Sequence, residues 1–267
     1  LSSLSTGDYT CIEDLAADLM SRYRDQGIAL SLPSLRVDSF KGELAEEIRK
    51  MRKTNLTFAP EAGTQRLRDV INKNITEEDL LRGVEEAFAA GWDSVKLYFM
   101  LGLPTETEED VLGIIDLANK VLDVARRHRQ GPRVKVSVSV SSFVPKSHTP
   151  FQWEPQASME VLEERQRLLT QGIKGRRIQL SWHDVRTSFL EGVFARGDRR
   201  VGRALARAVE LGCRFDGWSE HFSFPKWTQA FQECGLDPTF YANRRREYEE
   251  VLPWSHIDAG VTKGFLM

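Results

Sequence analysis

The sequence predicts an α/β protein built on a parallel sheet. Strand-like apolar segments such as residues 94–101 are followed by stretches with helical spacing such as residues 107–129, and this alternation repeats through the first 140 residues. Such repeats are typical of βαβ units, whose strands lie parallel. We therefore predict an incomplete parallel (β/α) barrel at residues 1–156 and a mostly helical C-terminal extension at residues 157–267.

The first two repeats are expected in the opening quarter of the chain. A short strand at residues 1–5 precedes a helix at residues 10–26, whose apolar residues recur every three or four positions. A second strand at residues 28–37 and a helix at residues 43–53 follow. The third strand begins at Leu56.

Helix-start signals mark the later repeats. Thr76, followed three residues later by Asp79, is a capping-box pattern, and Gly91 stands where that helix should end. After the helix at residues 107–129, Val alternates with Lys and Ser from residue 134 to residue 140, which predicts a strand with one polar face.

A Pro-rich loop at residues 141–156 closes the predicted barrel. A helix at residues 158–171 and a short strand at residues 178–182 come next, and the remaining chain is predicted to be mostly helical. No Gly/Ser-rich linker separates the two parts, so we expect the extension to pack on the barrel.

Charge and apolar content limit the classes of function. The chain carries 37 basic and 39 acidic residues, so no overall positive field favours nucleic acid or anionic membrane. No apolar run approaches the roughly 20 residues that span a bilayer. We predict a cytoplasmic protein without membrane association.

The sequence contains three cysteines, and its two ends are unusual for a complete protein. Cys11, Cys213 and Cys234 are far apart and form no metal-binding pair, so each is expected to be a small buried apolar residue. The chain begins with Leu1 rather than Met and ends without a terminating signal. We expect it to be an internal piece of a longer protein.

Chemistry-bearing residues cluster where the predicted strands end. Glu61 follows the strand that begins at Leu56, and Gly102 follows the next one. The carboxyl ends of parallel strands form the ligand-binding edge of α/β proteins. Glu61 is either a ligand carboxylate or the N-cap of a helix at residues 64–70.

Four segments of the sequence resemble a known family. The segments APEAGTQRLRDVINKNITEEDLL and KLYFMLGLPTETEEDV are similar to the later barrel strands of radical S-adenosylmethionine (radical SAM) enzymes. STGDY near the start resembles the second-strand motif, and SFVPKSHTPFQW resembles the sixth-strand loop. The match is closest to the branch in which a cobalamin-binding domain precedes the radical domain, within an uncharacterised group.

The resemblance implies cofactors that this chain does not hold by itself. Enzymes of the family bind a 4Fe-4S cluster through a C-x-x-x-C-x-x-C motif, which the sequence lacks, so no metal ligand is predicted here. The chain begins at the position of the second strand, and we expect the cluster ligands and a cobalamin domain upstream of Leu1. The intact enzyme would reduce S-adenosylmethionine to a 5′-deoxyadenosyl radical for hydrogen abstraction, with an electron donor such as flavodoxin or ferredoxin. The fragment alone should be inactive.

The resemblance also assigns roles at the first strand ends. Thr6, Gly7 and Asp8 would face the methionine amino group, although a turn and helix cap explain them equally. Arg36 would pair with a carboxylate, and the alternative is a salt bridge with Asp38.

Further roles follow along the chain. Glu61 would accept the ribose hydroxyls or a substrate amine, and Lys73 occupies a position that is often basic in the family, with simple solvent exposure as its alternative. Gly102 and Leu103 would approach the adenine ring, and Val144 would pack against it.

Two other functions remain open at this stage. An acid/base barrel enzyme would use Glu61, Glu106 and His183, with Asp184 orienting the histidine. A cluster-free pseudoenzyme would bind RNA through the Arg-rich segment 196–207, which otherwise reads as a solvated helix face. The sequence predicts no particular substrate, and RNA is one candidate.

Overall fold

The computed structural model describes residues 9–23, 26, 28, 56–128 and 134–267. The predicted strand at residues 1–5, the predicted helix at residues 43–53 and the predicted strand at residues 28–37, apart from Ile28, lie outside the described residues.

The described strands form a four-stranded sheet whose spatial order is also their order along the chain. They are β1 (Leu56–Glu61), β2 (Ser94–Leu101), β3 (Lys135–Ser142) and β4 (Ile178–Trp182). β1 pairs parallel with β2, and β3 pairs parallel with β4. The α/β class and the parallel sheet are confirmed, and the arrangement is consistent with a partial barrel.

Helices lie before and between the strands, as the alternation predicts. They are α1 (Ile12–Tyr23), α2 (Gln65–Val70), α3 (Glu77–Ala89), α4 (Glu108–His128) and α5 (Met159–Gly172). α3 packs against α4. The long connections allow parallel strand pairing, which a tight hairpin turn does not.

The strands bury alternate side chains. In β2, Val95, Leu97, Phe99 and Leu101 are at most 2% exposed, while the intervening residues face partly toward solvent. Val136, Val138 and Val140 are buried in β3 as predicted, but Ser139 is also buried, at 7% exposure, so the predicted polar face is confirmed only in part. This period of two arises because successive side chains of a strand point to opposite faces.

Two helices begin with the same capping device. Thr76 Oγ1 accepts a hydrogen bond from Asp79 N at 3.1 Å, and Asp79 Oδ2 accepts one from Thr76 N at 3.1 Å, which confirms the predicted capping box. At the start of α4, Thr107 and Asp110 repeat the pattern, with Thr107 N donating to Asp110 Oδ2 at 2.8 Å. Each box satisfies amides that the helix leaves unpaired.

The chain forms two compact units. The first unit comprises residues 1–101, 105–141 and 165–182 and contains the sheet, and the second comprises residues 102–104, 142–164 and 183–267. The predicted boundary near residue 157 stays a prediction.

The second unit is mostly helical, as expected. Its helices are α6 (Val185–Arg196), α7 (Val201–Glu210), α8 (Phe224–Glu233), α9 (Pro238–Ala242) and α10 (Lys263–Leu266). A core that includes Phe189, Val193, Trp227 and Phe231 joins α6 and α8. No helix in the described part of the chain is both long and apolar enough to cross a membrane.

Candidate functional site

Four residues of the predicted cofactor site fall outside the part of the chain that the structure describes. Thr6, Gly7, Asp8 and Arg36, together with the alternative partner Asp38, lie outside the described residues. Their roles stay predictions.

Glu61 ends β1 in an unusual backbone conformation. Its φ is 67°, in the region that non-glycine residues rarely adopt. The register between β1 and β2 shifts between Phe58 and Glu61, as in a β-bulge. The N-cap of α2 is Thr64, whose hydroxyl accepts a hydrogen bond from Leu67 N at 3.3 Å. The alternative role of Glu61 as that helix cap is therefore wrong.

Glu61 and Lys73 form an ion pair. Lys73 Nζ lies 3.3 Å from Glu61 Oε1, and the two side chains are 32% and 26% exposed. No hydrogen bond from another described residue reaches Oε2 of Glu61. The pair thus presents one carboxylate oxygen and one ammonium group at the end of a strand. Both residues were proposed from the sequence separately, and the fold of α2 brings them together.

The loop between β1 and α2 is held against α4 by close backbone packing. A Cβ atom at Gly63 would lie 2.3 Å from Ile114 N and 2.4 Å from Asp110 O. Only glycine permits that approach. Arg68, 1% exposed, donates through Nη1 to Ala62 O at 2.9 Å and holds the other side of the loop.

Asp110 is the polar centre of this packing, and sequence reasoning missed it. Its side chain is 2% exposed and accepts hydrogen bonds from Thr64, Arg66 and Thr107. Burial opposes ionisation, but these hydrogen bonds outweigh it and lower the pKa of Asp110 to about 2. The available sequence signal was the second capping-box pattern, Thr107 followed by Asp110.

The predicted adenine-contacting residues lie in the second unit. Gly102 has φ 80°, and a Cβ atom there would lie 2.8 Å from Ala157 Cβ. The protein's own packing therefore requires glycine at this position. Leu103 and Val144 are buried, at 4% and 7% exposure. Their contacts with an adenine ring stay predictions.

The residues of the acid/base alternative have structural partners. Glu106 is 4% exposed at its side chain and lies 3.6 Å from Arg165 Nε. Asp184 caps α6, where it accepts hydrogen bonds from the amides of Arg186 and Thr187 at 2.9 and 3.0 Å. The carboxylate that was to orient His183 is thus engaged at the helix start. Acid/base catalysis stays a prediction.

The Arg-rich segment 196–207 does not form one solvated face. Arg196 is fully buried, whereas Arg199, Arg200 and Arg203 are exposed. The interpretation of the whole segment as a solvated helix face is therefore wrong for Arg196.

The described residues do not fit an iron-sulfur cluster. Cys11 is exposed, Cys213 is buried and Cys234 is partly buried, so the prediction that each cysteine is buried is confirmed for Cys213 and wrong for Cys11. Within the described ranges, no group of three or more His, Cys, Asp or Glu side chains is placed to hold a metal ion. No step of cluster chemistry is assigned to these residues.

Comparison with known proteins relates part of the chain to a family. Residues 4–118, less than half of the chain, match the family model of the radical SAM superfamily. The chain is also 34% identical over 202 residues to an uncharacterised protein of Methanocaldococcus jannaschii, MJ0966. The alignment covers 75% of this chain and 41% of that relative, so the chain spans less than half of the relative's length. Glu61, Lys73, Gly102 and Leu103 lie within the family-matched segment, and Val144 lies beyond it.

Proposed function

We propose that the intact protein is a radical SAM enzyme that reductively cleaves S-adenosylmethionine to start hydrogen abstraction from a substrate. The match of residues 4–118 to the superfamily carries this proposal. The parallel sheet supports it, because ligands of such folds bind beyond the carboxyl ends of the strands. The iron-sulfur cluster supplies the reducing chemistry when bound, and the protein supplies binding and orientation.

Glu61 and Lys73 are the proposed S-adenosylmethionine contacts of the first unit. Oε2 of Glu61, which accepts no hydrogen bond from the described residues, suits the ribose hydroxyls or an ammonium group as donors. The Lys73 ammonium, held 3.3 Å from the other carboxylate oxygen, fixes the orientation of Glu61. Ligand chemistry and local geometry agree at this pair.

Finer elements of the proposal derive from the resemblance alone. They are a cobalamin cofactor, an electron donor such as flavodoxin or ferredoxin, a cytoplasmic location and the placement of Gly102, Leu103 and Val144 beside adenine. The acid/base enzyme has no observation that favours it over the radical enzyme.

The test uses the full-length protein, purified and reconstituted with iron and sulfide without oxygen. It should bind S-adenosylmethionine by calorimetry and release methionine and 5′-deoxyadenosine when reduced. Glu61→Ala should weaken S-adenosylmethionine binding about tenfold or more, because charged hydrogen-bond acceptors contribute strongly to binding.

Glu77→Gln is the matched control, since Glu77 is also a partly exposed carboxylate paired with a lysine, Lys120 at 2.7 Å. It should leave the affinity unchanged. Unaltered binding by Glu61→Ala would remove the site assignment, whereas absence of S-adenosylmethionine cleavage by the wild-type protein would remove the function.

A further inference from the structure

The second unit contains a cavity of about 640 Å³, which lies outside the family-matched segment. Two stretches of chain line it, the turn between α6 and α7 and the segment from α9 to residue 256. Its volume is within the roughly 300–1,000 Å³ usual for small-molecule sites.

The walls of the cavity carry more positive than negative charge. Arg199, Arg200, Arg244 and Arg246 line it, against the carboxylates of Asp198 and Glu250. The two carboxylates are already engaged. Arg200 Nη2 lies 2.6 Å from Asp198 Oδ2, and Arg244 binds Glu250 through two hydrogen bonds of 2.7 and 2.5 Å.

Arg199 and Arg246 are left without a carboxylate partner among the described residues. The Arg199 side chain is exposed, and no described residue forms an ion pair or a side-chain hydrogen bond with it. Arg246 is only 4% exposed, and its guanidinium lies 5.2 Å from the Trp254 ring. Its Nη2 donates a hydrogen bond to Arg196 O, but its Nε has no hydrogen-bond partner in the described chain. Burial and the neighbouring Arg244 guanidinium lower the pKa of Arg246, whereas the carboxylates of Glu250 and Asp198 oppose this effect without forming an ion pair with it.

The positive charge extends behind the cavity wall. Arg196 is fully buried and donates to backbone carbonyls, including Tyr241 O at 2.9 Å and Arg244 O at 2.8 Å. Burial and the neighbouring guanidinium groups of Arg246 and Arg244 lower the pKa of Arg196 to about 10. An anion in the cavity would therefore relieve repulsion among these arginines.

Aromatic residues complete the lining. Phe240 is 44% exposed, with the Arg244 guanidinium 4.5 Å from its ring centre, and Tyr241 also lines the cavity. Guanidinium groups bind phosphate through paired hydrogen bonds, and exposed aromatic rings stack on nucleobases.

We infer that this cavity binds the phosphate group of a nucleotide, either free or within a strand of RNA. Arg199 and Arg246 hold the phosphate, and Phe240 offers a face to the base. The inference is independent of the proposed radical chemistry, because none of these residues belongs to the family-matched segment at residues 4–118.

Calorimetry on the 267-residue chain tests the site with inorganic phosphate, AMP, adenosine and a short single-stranded oligoadenylate at constant ionic strength. AMP should bind at least about tenfold more tightly than adenosine, and inorganic phosphate should compete with it. Tighter binding of oligoadenylate than of AMP assigns the site to RNA, and the reverse order assigns it to a free nucleotide. Failure of phosphate, AMP and oligoadenylate to bind would overturn the inference.

Two arginine variants distinguish specific binding in the cavity from nonspecific attraction to exposed positive charge. Arg199→Ala should weaken AMP binding about tenfold without loss of folding, because the side chain is exposed. Arg203→Ala is the matched control on α7, since Arg203 is also exposed but does not line the cavity. Its AMP affinity should stay within about twofold of wild type. Equal losses in the two variants, or no loss in Arg199→Ala, would contradict the inference.

Glu61→Ala should retain AMP binding, which separates this cavity from the proposed cofactor site.

Discussion

Asp110 joins two helices of the first unit, α2 and α4, through one carboxylate. It accepts hydrogen bonds from Thr64 at the start of α2, from Arg66 within α2 and from Thr107 at the start of α4. The acid is deeply buried, so its ionised form depends on all these donors. This dependence makes the stability of the first unit sensitive to acid.

The substitution Asp110→Asn tests that sensitivity. The pKa of Asp110 in the folded protein is about 2, below its ordinary value of 3.8, so the ionised group stabilises the fold. This contribution is complete above about pH 4 and is lost as the pH falls toward 2. Asp110→Asn should lower the free energy of unfolding by about 2 kcal/mol at pH 7 and by about half as much at pH 3, as measured by urea unfolding.

Asp123→Asn is the control on the same helix. Asp123 is 68% exposed at its side chain and pairs with Arg126 at 3.0 Å, so its substitution should change stability by less than about 0.5 kcal/mol. A difference between Asp110→Asn and wild type that is the same at both pH values would show that ionisation of Asp110 is not the cause.

At the scale of elements, the β1–α2 loop and α4 meet through backbone atoms. Gly63 faces Gly113 of α4, where a Cβ atom would lie 2.9 Å from Thr64 Cγ2 and 3.1 Å from the Gly63 backbone. Two small residues thus permit the close approach of the loop and the helix. The same loop leads from Glu61 to α2, so this contact helps to position the proposed cofactor residue.

Gly63→Ala should therefore be strongly destabilising. The new Cβ atom would meet backbone N and O atoms of α4, which cannot turn away as a flexible side chain can. We expect a loss of about 3 kcal/mol or more in the free energy of unfolding. Gly202→Ala is the contrasting variant, because no atom lies within 4 Å of a Cβ there and the position is in α7. It should be neutral or stabilise by up to about 1 kcal/mol. Equal thermal midpoints for the two variants would refute the close-approach argument.

At the scale of the molecule, each unit is assembled from segments that are separated in sequence. In the second unit, Gln156 N donates to Ala242 O at 2.9 Å and Gln156 Nε2 donates to Ser188 O at 2.8 Å. Gln152 Oε1 accepts from Trp254 Nε1 at 2.7 Å, and Trp153 packs with Leu252 and Trp254. The loop at residues 142–156 is therefore part of the core of this unit.

Two fragments test this assembly. A fragment of residues 142–267 should unfold with a cooperative thermal transition, whereas one of residues 157–267 should not, because it lacks Trp153 and the buried glutamines. Circular dichroism on heating and amide dispersion in NMR spectra measure the difference. Equal cooperativity in the two fragments would mean that the loop contributes little to the core.

Its position at a strand end singled out Glu61, and resemblance to the radical SAM family singled out Lys73. The sequence by itself determined the α/β class, the strands from residue 56 onward and the capping box at Thr76. These features depend on periodicity and on pairs a few residues apart, which are visible in one dimension. Tertiary structure alone decided that Glu61 and Lys73 form an ion pair and that Arg199 and Arg246 line one cavity. It also decided that Asp110 accepts hydrogen bonds from donors more than 40 residues away in the sequence. Such contacts depend on how the elements pack, because burial and the distances between distant segments have no local signature in the chain.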